Sequence, residues 1–211
     1  MTTTLAPTDA RFVFALAVQT GSGVFAHVRP EALDRPTPCD EFAVRDVAAH
    51  LVQVLDGVAA LGRGGDPFAV PPAVADDDRW ADRWAEAAHA VQAAWSDDAV
   101  LERPMALPWQ QGTGADILRG YVSEVTIHTW DLAKGLGVEP AWDDRPLAVA
   151  LESVGAFLPA TGRLELFERI SKEMGFDAVQ VPFADAVPVP DDAPAIDRLV
   201  AWNGRRPDWT A

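Results

Sequence analysis

Glu124 and His128 stand four residues apart in YVSEVTIHTWDLA, residues 121–133, a segment otherwise apolar enough to be packed. On a helix, residues four apart project from the same side. A buried carboxylate without a partner costs several kcal/mol or more. A carboxylate and an imidazole on one side can share a divalent cation, which compensates that charge. The third ligand has few sources, because the chain holds 4 histidines. His89 shares its helical face with Asp82, Glu86 and Gln92, which predicts a solvated side chain. His27 falls near the end of a candidate helix, where an imidazole favours the helix C-terminus. His50 instead falls between Val47 and Val54 on an apolar stripe. His50, Glu124 and His128, with one position left open, make a candidate catalytic zinc shell of the kind built between facing bundle helices. The spacing is also open to a plainer reading, because E-x-x-x-H occurs by chance on many helices and a histidine on an apolar stripe is often a satisfied core residue. Asp131, one turn on from His128, either orients a ligand or pairs with a cation at the helix surface.

The elements that must position these residues are helical. Apolar residues three and four apart mark helices over 8–28, 41–62, 77–96 and 113–136. Gly21 and Gly23 weaken the first by up to about 1 kcal/mol each relative to alanine. The loop GRGGDPFAVPPAVAD follows the second helix, and the segment ERPMALPWQQGTG, read as irregular, precedes the fourth. Beyond the fourth, DRPLAVALESVGAFL and GRLELFERISKEM read as helices. FDAVQVPFADAVPVP reads as an extended arm, and a short helix over 194–202 ends at Asn203-Gly204. The expected fold is all-α: a four-helix bundle over 1–160 with a partly irregular C-terminal extension, 161–211, packed on it.

Composition narrows the partners. Lys and Arg number 17 against 32 Asp and Glu, a net charge of −15, which suits neither nucleic acid nor anionic lipid. Of the 211 residues 49% are hydrophobic, so a sizeable core is available. Cys39 is the sole cysteine; it excludes an intrachain disulfide and fits a reducing compartment. The N-terminal MTTTLAPTDARF lacks the pattern of a signal peptide, and no run of about 18 apolar residues offers a membrane span. A soluble cytoplasmic protein acting on a small molecule is expected.

Three stretches go beyond spacing: PTPCDEFAVRDVAAHLV (36–52), EVTIHTWDLAKGLG (124–137) and AWNGRRPDW (201–209). In order and spacing they resemble the DinB/YfiT-like superfamily over nearly the whole chain, and in particular the branch related to the N-terminal domain of mycothiol-dependent maleylpyruvate isomerase. The resemblance implies a bundle that carries a divalent metal, typically zinc. It places the first histidine ligand at His50, the acidic ligand at Glu124 and the second histidine at His128. Two departures stand out. Phe42-Ala43 occupies the place of Trp followed by Ser, Thr or Asp, which loses a capping side chain, an effect of about 1 kcal/mol. The isomerase's full second domain is missing, which argues against maleylpyruvate isomerisation itself.

In thiol-dependent members of such a family the metal is thought to hold a low-molecular-weight thiol as thiolate, the nucleophilic form. A pocket for an electrophile must then adjoin it. Candidate walls are Trp80, Trp84, Trp109 and Tyr121, each of which core packing explains as well. Arg45, Arg205 and Arg206 can hold a carboxylate or a thiol's polar groups, or else pair with nearby acids. Cys39 is set aside as nucleophile because Asp40 and Glu41 flank it. Three functions follow: an enzyme that activates mycothiol or a similar thiol; a hydrolase or lyase that uses bound water, with Tyr121 and Asp131 as its acid–base candidates; or a non-catalytic small-molecule binder.

Overall fold

The computed structural model describes residues 6, 8–40, 42–174 and 183–211. Its helices are α1 (Ala10–Phe25), α2 (Val44–Gly62), α3 (Trp80–Ala94), α4 (Asp98–Glu102), α5 (Gly114–Leu136), α6 (Asp144–Phe157), α7 (Arg163–Met174) and α8 (Ala195–Trp202). The apolar stripes predicted for the four long helices all turn inward, and α1, α2, α3 and α5 close a ring. In it α1 packs on α5 and α3, and α2 packs on α3 and α5. The interior holds Phe14, Phe25, Leu51, Leu55, Trp84, Ile117 and Leu132, all buried. Burying each such side chain contributes about 1.5–3 kcal/mol. No described helix is long and apolar enough to cross a membrane.

Local chemistry sets the boundaries. Asp9 caps α1 by accepting from the Arg11 N–H at 2.8 Å, so that helix starts two residues later than its pattern suggested. At α2 the cap is half made: Ala43 has no side-chain acceptor, but Asp46 accepts from the Ala43 N–H at 2.9 Å. At α5 it is complete, with Thr113 Oγ1 accepting from the Asp116 N–H and Asp116 accepting from the Thr113 N–H. Gly137, with φ 73°, ends that helix in the left-handed region that glycine tolerates. Gly21 costs helix propensity, yet a Cβ there would lie 2.6 Å from the Trp84 ring. The missing methyl lets Trp84 stack on Phe25 with ring centroids 4.5 Å apart.

The segment ERPMALPWQQGTG is not irregular. It holds a hairpin, β1 (Pro104–Leu107) paired antiparallel with β2 (Gln110–Thr113), with Leu107 opposite Gln110. Strands of four residues around a two-residue turn are too short to display an alternating pattern.

The C-terminal third folds back on the bundle. α6 packs on α5 and α1, and α8 packs on α6 and α5. Arg163, fully buried at the start of α7, donates to the backbone carbonyls of Pro159, Ala184 and Trp202. Asp185 accepts from the Arg163 N–H at 3.1 Å and so caps α7 from the extension. Part of the expected extended arm, 176–182, lies outside the described residues. From 183 to 190 the chain has no helix or strand and bonds in cis, Ala186 N–H to Ala160 and Val187 N–H to Ala201.

Candidate metal centre

Adjacency of α2 and α5 brings the predicted residues together. Nε2 of His50 lies 3.0 Å from Oε1 of Glu124, and Nε2 of His128 lies 3.5 Å from the same oxygen. The two imidazole centroids are 4.6 Å apart, nearly perpendicular. One donor atom from each of the three residues falls within 4.8 Å of the others. Among the described residues no lysine or arginine bonds the Glu124 carboxylate. Two imidazoles and an otherwise unpaired carboxylate, converging on one point, fit a divalent cation by donor chemistry.

The electrostatics of these groups are coupled. Burial alone pushes the Glu124 carboxyl up, but the charge of His128 and hydrogen bonds from His128 and His50 outweigh it and hold the group well below its usual range. Burial likewise pushes His128 down. The Glu124 charge and hydrogen bonds to Asp131, Cys39 and Glu124 reverse that and raise it well above an ordinary imidazole.

Behind His128 the shell is sealed. Asp131, 0% exposed, faces Nδ1 of His128 at 3.0 Å through Oδ2. Arg205, from the turn after α8, donates to both Asp131 oxygens, at 3.3 and 3.1 Å. This arrangement fixes the His128 ring with Nε2 turned toward Glu124. Asp131 therefore orients a candidate ligand. Its carboxylate is buried against His128 and Arg205 and is not among the residues that line the cavity described below. Gly204, with φ 77°, makes the turn that aims Arg205 inward; a Cβ there would lie 2.8 Å from the Ala184 carbonyl. Cys39 is the residue that sequence reasoning undervalued. Its sulfur lies 3.6 Å from Arg205 Nη2 and joins His128 and Asp131 in a second cluster. That cluster is a poor cation site, since the Arg205 guanidinium already supplies the positive charge Asp131 requires. No charge pattern along the chain could reveal this contact, which spans 166 residues.

A cavity of about 760 Å³ opens from His50 and Glu124. Tyr121 and Trp109 line it, as expected. Burial pushes the Tyr121 hydroxyl well above its ordinary pKa, and the Glu124 charge adds to this. Trp109 stands at the hairpin turn with its ring edge-on to Phe68, centroids 5.6 Å apart. Trp84, a predicted pocket wall, is instead core: it stacks on Phe25 and its indole N–H bonds Ser22 Oγ at 2.9 Å. Trp80 is buried in the same core and absent from the cavity wall. Arg45 also lies away from the cavity, paired at the surface with Asp34 and Asp77 because these acids flank it across a loop. Arg206 pairs with Asp208, also at the surface. His89 is exposed, as its polar face predicted, and His27, also exposed, has Nδ1 3.0 Å from the Gly23 carbonyl oxygen.

Known proteins bear on this geometry. Two uncharacterized proteins of Mycobacterium tuberculosis, MT0763 of strain CDC 1551 / Oshkosh and Rv0738 of strain ATCC 25618 / H37Rv, are each 29% identical to the chain over 189 residues. The match covers 87% of this chain and 91% of each relative. No solved structure is significantly similar. Residues 14–133, which include His50, Glu124, His128 and Asp131, match the model of the mycothiol maleylpyruvate isomerase N-terminal domain. That match spans more than half of the chain, and the chain belongs to the mycothiol maleylpyruvate isomerase N-terminal domain family, a domain of the DinB-like type.

Proposed function

We propose that the protein is a zinc-dependent enzyme that activates a low-molecular-weight thiol such as mycothiol for transfer to, or isomerisation of, a small electrophile, and that it works in the reducing cytoplasm. The observation that carries this reading is the convergence of His50, Glu124 and His128 at the inner end of a cavity large enough for two reactants. What a divalent cation supplies there is positive charge that lowers the pKa of an incoming thiol. The chain's own residues do the rest. His50 and His128 present nitrogen donors, Glu124 keeps its negative charge at neutral pH, and Asp131 holds His128 in place.

The hydrolytic alternative draws less support. It needs a base near the cation, and the two candidates are ill suited. Asp131 is sealed behind His128, and Tyr121, pushed up by burial, stays a neutral hydroxyl donor. Tyr121 fits better as a hydrogen-bond donor to an oxygen of the substrate.

Elemental analysis of the purified protein, followed by calorimetric titration with mycothiol, tests the proposal. One equivalent of zinc is expected, with thiol binding that disappears on chelation. His50→Ala and His128→Ala should each abolish metal binding and keep the helical circular dichroism signal. Wild-type metal stoichiometry in both variants would remove the basis of the reading.

A further inference from the structure

The cavity above the triad has walls of a distinctive chemistry. Its inner surface is built from Ile117 and Ile127 of α5, Val154 of α6, Leu158 just after that helix, and Ile170 of α7. Its mouth is apolar too. Among the described residues, few large hydrophobic side chains are exposed, and three of them line this one opening: Phe68 at 57%, Trp109 at 49% and Phe157 at 40%. Apolar side chains gathered in water around a concavity mark a place where an apolar partner enters.

The polar groups in the wall are mostly spoken for. Ser123 Oγ donates to the Gly120 carbonyl, Gln110 Nε2 to the Asp116 carbonyl and Asn203 Nδ2 to the Leu199 carbonyl, each at 2.8 Å. Fixed charge is sparse. Among the described lining residues Arg169 is the one arginine or lysine, and it is exposed. Arg45 and Arg205, two of the arginines proposed to hold a carboxylate, are tied to Asp34, Asp77 and Asp131. Beyond the candidate metal centre, a small dianion would find no buried arginine or lysine among the described lining residues, in a chain of net charge −15.

We infer that the cavity takes an electrophile with an apolar body, aliphatic or aromatic, and no pair of carboxylates. The body lies against Ile127, Val154, Leu158 and Ile170, the reactive end faces His50 and Glu124, and Phe68, Trp109 and Phe157 close around the tail. The cavity volume suits a molecule of drug-like size. The placement of the reactive end rests on the thiol-transfer reading; the apolar character of the site does not.

The test uses probes that need no turnover. Displacement of 1-anilinonaphthalene-8-sulfonate is measured with hexanol, octanol and decanol, and with octanedioate as the dianion of matched length. Zinc-loaded and chelator-treated protein are titrated in parallel. Affinity should rise about fourfold per added methylene, the ratio that corresponds to ~0.8 kcal/mol per buried CH₂. Octanol should bind at least tenfold more tightly than octanedioate in both preparations. Phe157→Asp should weaken decanol binding about tenfold and leave zinc content unchanged, with Phe157→Leu restoring it. Equal affinity along the alcohol series, or tighter binding of octanedioate, would overturn the inference. A chain-length slope in protein that takes up no metal would sustain the apolar site and sink the metal reading instead.

Discussion

Asp131 touches no cavity surface, yet two groups depend on it. Its carboxylate orients His128 and neutralises Arg205, so Asp131→Asn separates geometry from charge. The amide keeps the size and an acceptor for His128 Nδ1–H but loses the ion pair. Partners of this kind behind a metal-binding histidine typically change affinity 10–100-fold. A zinc competition assay on Asp131→Asn should show a loss in that range with the helical signal retained; unchanged affinity would mean the contact is only structural. At this scale the sequence was informative where side chains lie on helices with a clear inner face. His50, Glu124 and His128 could be named because each sits on such a stripe. Trp84 and Trp109 show the limit. Trp84 lies in the second turn of α3 and Trp109 in a hairpin turn, and only the packing of Gly21 against Trp84 and the hairpin under Trp109 decides which is core and which is rim.

Elements supply the cavity that the triad alone cannot. The loop after α2 reaches back over that helix, and its Pro67 carbonyl would lie 2.9 Å from a Cβ on Gly57. Gly57 and Pro67 both line the cavity, and Phe68 follows directly. Gly57→Ala should therefore push the loop outward, since a backbone carbonyl cannot rotate aside as a flexible side chain can. Overpacking of this kind costs about 1–3 kcal/mol, less the gain in helix propensity of up to about 1 kcal/mol. Chemical denaturation of the variant should show lower stability, and stability above that of the native protein would show the loop yields freely. Helical periodicity was legible for the bundle because each long helix carries four or more apolar positions on one side. The hairpin was not, and neither was the approach of α7 to the cavity, because that contact is made across a turn whose direction Arg163 sets through three backbone carbonyls.

Across the whole molecule, acidity is the dominant charge feature, and several of its carboxylates earn a stabilising role at helix starts. Asp9, Asp116 and Asp143 are all held below their ordinary pKa, chiefly by side-chain hydrogen bonds from Arg11, Thr113 and Arg145 respectively, with Asp143 pulled down to about 2. A folded-state pKa below the unfolded value gives stability that is complete above about pH 4 and drains away as the folded group takes up its proton. The thermal midpoint should fall steeply between about pH 4 and pH 2, and Asp143→Asn should flatten part of that fall; a midpoint flat over this range would contradict the assignment. The C-terminal turn ties into the same whole. Arg205 spans from the last helix to the bundle interior, and its guanidinium rests beside the chain's solitary sulfhydryl. Cys39 is thereby a native probe: a thiol-modifying reagent meets a single, half-buried target, and the change in its rate on Arg205→Ala reads how far the C-terminal turn screens it.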